Sequence, residues 1–229
     1  MAITRTEDWS LNSPSSEPSG DIDLGSGASR LLLCFYLRER GSDFTVYEFE
    51  VGNQTFDWSA EHTLDSSPDL IIKSFGWFED SIQAMDSNTI SYSDSVAVGS
   101  KNSWGFATYS NVQQVTPTIN SSSSSSTTSL NIDSSSTSDD MLVAAAIDSS
   151  ANREPISFDS LTSRVDYDDS DMSTAIADGA GGDNTTTISN DGVSASQLAG
   201  MVVILKGFAD SSETATHRGI YRGVARGIA

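Results

Sequence analysis

Met141-Leu-Val-Ala-Ala-Ala-Ile147 and Leu198-Ala-Gly-Met-Val-Val-Ile-Leu205 are short, unbroken apolar runs set among long polar stretches. They are too short for good helices, and Ser, Asp and Gly bound them on either side, so both read as β-strands. Arg30-Leu-Leu-Leu-Cys-Phe-Tyr-Leu37 is a third run of the same kind. One all-β shell accounts for all three.

Outward from these runs the chain keeps a strand-and-turn rhythm. Arg38-Glu-Arg-Gly-Ser-Asp43 reads as a turn after the Leu31–Leu37 strand, and Phe44–Val51 alternates with a single slip, as a bulge produces. Gly52-Asn53 then predicts a tight hairpin turn into Gln54–Trp58, since both residues accept positive φ. Asp69–Phe78, Thr89–Ser93 and Ser103–Tyr109 read as further strands, and Pro117 closes off Val112–Pro117. The run Ser121–Ser126 cannot bury apolar area and reads as a solvated loop. Ser129–Asp133, Ile156–Phe158, Met172–Ile176 and Thr185–Ile188 complete the set, with an acidic connection between the second and third and a flexible turn at Gly179–Asn184. No helix is predicted. About ten strands at near-regular spacing imply an antiparallel two-sheet β-sandwich, jelly-roll-like.

The expected organisation is an extended Pro/Ser-rich arm over 1–24, one sandwich over 25–208 and a tail over 209–229. Apolar residues make up 37% of the 229-residue chain and serine roughly a fifth, so the core is thin for the length. A formal net charge of −20 and a pI of 4.1 oppose contact with phosphate backbones and anionic lipid, so nucleic acid is not an expected partner. No apolar run approaches the ~20 residues that span a bilayer, and the first residues lack the basic-then-apolar pattern of an export signal, so neither membrane insertion nor Sec-type export is expected. Cys34 is alone and sits among apolar neighbours, which points to a buried structural thiol.

Gly27-Ala-Ser-Arg-Leu-Leu-Leu33, Val46–Phe56 with its Gly52-Asn53 turn, Ser103–Pro117, Met141–Ile147 entered from Asp139 and Asp140, and Ala199–Lys206 fall in a recognisable order. In this order the chain resembles a family of β-sandwich domains, lectin-like in shape, found in phage virion proteins and bacterial surface proteins. The resemblance covers about residues 25–208 and brings no catalytic motif. It implies binding, packing and display, and the missing export signal tilts it towards a virion component assembled inside the host cell.

Four groups of residues are candidate sites. Arg218-Gly-Ile-Tyr221, Arg222-Gly-Val-Ala and Arg226-Gly-Ile-Ala229 form an internal repeat whose charge opposes that of the body; Arg218, Tyr221, Arg222 and Arg226 would dock on an acidic groove of a neighbouring virion subunit, and a disordered or self-docked tail is the alternative. Asp166, Asp168, Asp169 and Asp171 bring four hard oxygen ligands close together, as Ca²⁺ requires, although the spacing is not that of an EF-hand; a solvated acidic loop is the alternative. Trp77 and Trp104, each beside a glycine, are candidates for a sugar-stacking platform, against the plainer reading that they fill the core. Catalysis has little support, since His62 and His217 are far apart and no nucleophile elbow, zinc spacing or phosphate loop occurs.

The expected function is therefore a non-enzymatic structural or accessory protein of a bacteriophage virion: capsid decoration, fibre or tail component. Its expected partners are other virion proteins, further copies of itself and host-surface glycans. A carbohydrate-binding module or adhesin is the alternative, and a shell-forming capsid subunit a third reading, weakened by the small number of basic residues available to offset a genome.

Overall fold

In the computed structural model the apolar runs are strands, and each lies in the interior of a sheet. The structure describes residues 2–6, 9–12, 21–40, 46–65, 69–94, 101–149, 155–168, 172–190 and 196–208. The first half carries β1 (Thr4–Arg5), β2 (Ser10–Asn12), β3 (Leu31–Arg40), β4 (Val46–Val51), β5 (Gln54–Thr55), β6 (Trp58–Leu64), β7 (Asp69–Phe78), α1 (Glu79–Ala84), β8 (Ile90–Asp94) and β9 (Lys101–Ser110). The second carries β10 (Thr118–Thr127), β11 (Ser129–Asp133), β12 (Met141–Ser149), β13 (Ile156–Phe158), β14 (Thr162–Asp168), β15 (Ser173–Ala180), β16 (Thr185–Asn190) and β17 (Ser196–Leu205).

Two large sheets face each other, as an antiparallel sandwich requires. One runs β1-β9-β3-β7-β6, with β2 also on β9; the other runs β10-β17-β12-β15-β14. Leu31, Leu33, Phe35 and Leu37 of β3 meet Val143, Ala145 and Ile147 of β12 and Ala199, Met201, Val203 and Leu205 of β17 in the core between them. The intervening residues of the same strands are buried as well. Leu32, Cys34 and Tyr36 pack outward against Phe49 and Val51 of the small sheet β5-β4-β8. Leu142, Ala144, Ala146, Val202 and Ile204 pack outward against Leu130, Ile132 and Ile188 of the small sheet β11-β16-β13. The sandwich is thus covered on both outer faces, which makes four layers. A strand buried on both faces cannot alternate, so these runs are apolar without interruption.

The two halves repeat one pairing order. β9-β3-β7-β6 matches β17-β12-β15-β14, and β4 on β8 matches β13 on β16. β1 and β2 on β9 match β10 on β17, and the isolated bridge Asp21↔Thr89, just before β8, matches β11 on β16. Every one of these pairings is antiparallel.

Several local expectations hold. The slip in Phe44–Val51 is a register shift between Val46 and Glu48 where β4 pairs with β8. Gly52 and Asn53 have φ of 53° and 60°, the left-handed pair that joins β4 to β5. Cys34 is fully buried, and that burial pushes its thiol well up.

Others are corrected. Order does not begin at Gly25: β1 and β2 pair with β9, and Ile3 and Trp9 are buried in the central core, so the described parts of the expected arm belong to the sandwich. The Pro/Ser stretch at 13–20 and the tail at 209–229 lie outside the described residues. The serine run is not a loop but most of β10, an edge strand pairing with β17 from Thr118↔Ile204 to Thr127↔Ser196. Its small side chains need no core of their own, because the apolar partner strand supplies the ladder. The acidic connection before Met172 contains β14, an edge strand on β15. Glu79–Ala84 forms one helical turn and a half, with two acids in its first turn and Ile82 buried.

Candidate ligand pocket and buried ionic contacts

The outer face of the β6–β7 ladder is only partly covered by the small sheet β5-β4-β8. Ser59 pairs with Phe75 and Glu61 with Lys73, which places polar and apolar side chains on the same exposed strip. A cavity of about 230 Å³ opens there, lined by Phe49, Phe56, Ser59, Ala60, Glu61, Lys73 and Phe75. Its apolar side is a chain of tilted rings: Phe56 and Phe75 have centroids 5.1 Å apart, Phe75 and Phe49 4.9 Å. Phe56 is 36% exposed, one of the few large apolar side chains at the described surface. The polar side is an ion pair, Lys73 Nζ to Glu61 Oε2 at 2.7 Å. The cavity thus joins an aromatic wall to a polar one.

The ionic contacts elsewhere join elements distant in the chain. Asp178 on β15, buried between the large sheets, accepts from Arg5 Nη1 at 2.7 Å, Arg164 Nε at 2.6 Å, Tyr109 Oη at 2.9 Å and Trp9 Nε1 at 3.4 Å. Burial, then the neighbouring Asp178 charge, pushes the Tyr109 phenol well up. Asp140, also buried, accepts from Lys206 Nζ at 2.9 Å and from the Thr137 N–H at 2.8 Å. Burial raises the Asp140 carboxyl, but these two donors together outweigh it and hold it below its ordinary value.

Glu79 opens α1 and receives Arg30 three ways: Nε at 3.1 Å, Nη2 at 2.8 Å and the backbone N–H at 2.6 Å. The hydrogen-bonded Arg30 guanidinium holds the Glu79 carboxyl down at about 2. A depressed carboxyl adds stability above its unfolded value near 4.3 and loses it as pH falls through the folded one. Glu79→Gln is accordingly expected to be less stable than the parent by about 2 kcal/mol at neutral pH, with the gap closing between about pH 4 and pH 2. Urea unfolding of both proteins across that range checks it, and a gap independent of pH would refute it.

The sequence-based site residues fall differently. Trp77 and Trp104 are fully buried, so neither ring can stack on a sugar. Trp104 lies against Tyr36 and Phe49 at 4.3 Å and 4.9 Å, and Trp77 donates its Nε1 to the Gln54 carbonyl at 3.0 Å. Their neighbouring glycines serve packing. A Cβ at Gly76 would sit 2.2 Å from the Trp58 indole, and one at Gly105 2.3 Å from Ile176 Cδ1. Of the acidic cluster, Asp166 is exposed on β14, whose extended backbone does not wrap round an ion. The side chain of Asp168 and the whole of Asp169 and Asp171 lie outside the described residues, as do Arg218, Tyr221, Arg222 and Arg226. Among the described residues no three His, Cys, Asp or Glu side chains are grouped to hold a metal, and no helix is long and apolar enough to cross a membrane. His62 meets Ser121 of β10, Nδ1 to Oγ at 3.0 Å, and burial lowers its pKa.

Sequence reasoning missed the Phe56 pocket because it weighed tryptophans above phenylalanine. The available signal was Phe56 itself, an aromatic residue in the short polar connection just before Trp58. Compared with family models, with curated proteins and with solved structures, the chain matches none.

Proposed function

We propose that this chain is a non-enzymatic structural or accessory protein of a bacteriophage virion, a capsid decoration or a fibre or tail part that displays a rigid all-β block. What supports the reading most is the use made of buried and half-buried charge. Asp178, Asp140 and Glu79 each tie together stretches far apart in the chain, Arg5 to Asp178 being the longest reach. Charge so placed favours one fixed arrangement of the elements, the property a display scaffold needs. A net charge of −20 and serine-rich outer strands suit a particle surface in water. In this reading the Arg-Gly repeat at 218–229 attaches the block to a neighbouring virion protein, and copies of the chain associate with one another.

Electron imaging and protein mass analysis of virions purified from the encoding phage test the proposal. Density fitting the four-layer block, lost when 214–229 is deleted, is the expected result; absence of the chain from purified virions overturns it. A second reading, a carbohydrate-binding module or adhesin, is favoured by the Phe56 pocket.

A further inference from the structure

The repeated pairing order allows one half of the molecule to be compared with the other. β6 and β7 correspond to β14 and β15, so the connection entering β6 corresponds to the one entering β14. In the second half that connection ends in Leu161, which is drawn onto the outward-facing cluster under the small sheet β11-β16-β13, with Ala175 and Ala177. Its Cδ2 would be 3.0 Å from a Cβ at Gly179, so glycine there admits the leucine. In the first half the same connection carries Phe56, set over Phe75 and Trp77 with ring centroids at 5.1 Å and 6.5 Å. Phe56 thus packs on larger side chains than Leu161 meets, and the cavity of about 230 Å³ lies beside it.

We infer that the Phe56 pocket is a binding site for one neutral pyranose ring. A pyranose has an apolar C–H face and a rim of hydroxyls, and the pocket offers the partner of each. Phe56 supplies a partly exposed ring face, while Glu61, Lys73 and the Ser59 hydroxyl supply acceptors and donors. The volume is below the roughly 300–1,000 Å³ of pockets for drug-sized ligands, which matches a single ring. Charge chooses among sugars. Lys73 is already neutralised by Glu61 at 2.7 Å and the chain carries −20, so a carboxylated or sulfated sugar finds no free cation in the pocket and a repelling field around it.

This inference rests on the second reading above, a carbohydrate-binding module or adhesin, and not on the virion reading. Incorporation into virions does not depend on the pocket, so the two can fail separately. The test is nuclear magnetic resonance titration of the full chain with the methyl glycosides of glucose, galactose and mannose, and with N-acetylneuraminic acid. The expected result is a saturable shift of the Ser59, Glu61 and Lys73 amides with at least one neutral glycoside. Its Kd lies in the millimolar range usual for a single small ring, and weakens about fivefold in Phe56→Ala. Mapping on the unaltered chain needs no variant, so a misfolded variant does not leave the question open. No shift at those amides with any neutral glycoside overturns the inference, as does undiminished binding in a folded Phe56→Ala protein or a preference for N-acetylneuraminic acid.

Discussion

Asp178→Ala is expected to lower the unfolding free energy by about 3–4 kcal/mol. The carboxylate is buried where β15 faces β9 and the β1–β2 segment, and removing it strands several donors at once. The Tyr109 hydroxyl and Trp9 indole N–H are left inside the core, where an unmet polar group costs about 1–3 kcal/mol. The guanidiniums of Arg5 and Arg164, with 18% and 32% of their side chains exposed, recover part of their loss from water. Tyr109→Phe removes one donor and leaves Asp178 its bonds from Arg5, Arg164 and Trp9, so it is expected to cost only about 1 kcal/mol. Urea midpoints for the two variants measure the difference, and an Asp178→Ala protein within about 1 kcal/mol of the parent would show that the contact does not join the halves.

Gly76→Ala is expected to cost about 2–3 kcal/mol, an unusual penalty for one methyl group in a strand. Gly76 stands opposite Trp58 in the β6–β7 register, and the indole crosses the space that a Cβ would occupy, at 2.2 Å. Trp58 is 6% exposed and part of the central core, so the ring has nowhere to move. The same substitution in a Trp58→Leu background is expected to cost less than half as much, because the clash partner has gone. Gly182→Ala is a useful contrast: φ is +118° there but nothing lies within 4 Å, so only backbone strain is added. Thermal or urea unfolding of the parent and the four variants separates crowding from strain, and equal penalties at Gly76 with and without Trp58 would reject the packing account.

How far the fold could be read from the residues depended on what covers each strand. β3, β12 and β17 were legible because both their faces are buried, leaving no polar residue to blur the run. The same continuity also carried the evidence for outer layers, since a sheet in a plain two-layer sandwich shows one face to water and alternates. β10 and β14 were not legible. They are edge strands whose pairing is set by β17 and β15, and a serine or aspartate sequence has no local preference that announces such a partner. The site followed the same logic. Gly-Trp at 76–77 and Trp-Gly at 104–105 looked like exposed platforms, but the glycines make room for Trp58 and for Ile176. Phe56 became a candidate only once the ladder beneath it was known to be partly uncovered among the described residues.

The doubled pairing order has a consequence for how the molecule behaves on dilution. Two β units that meet face to face as separate subunits come apart as their concentration falls, with a stability set by mass action. Here one continuous backbone carries both units, so the contact around Val143, Ala145 and Met201 is intramolecular and survives at any concentration. Covalent linkage also releases the partners from having to be alike. One unit is free to bear an aromatic cleft while its twin holds a leucine at the corresponding place.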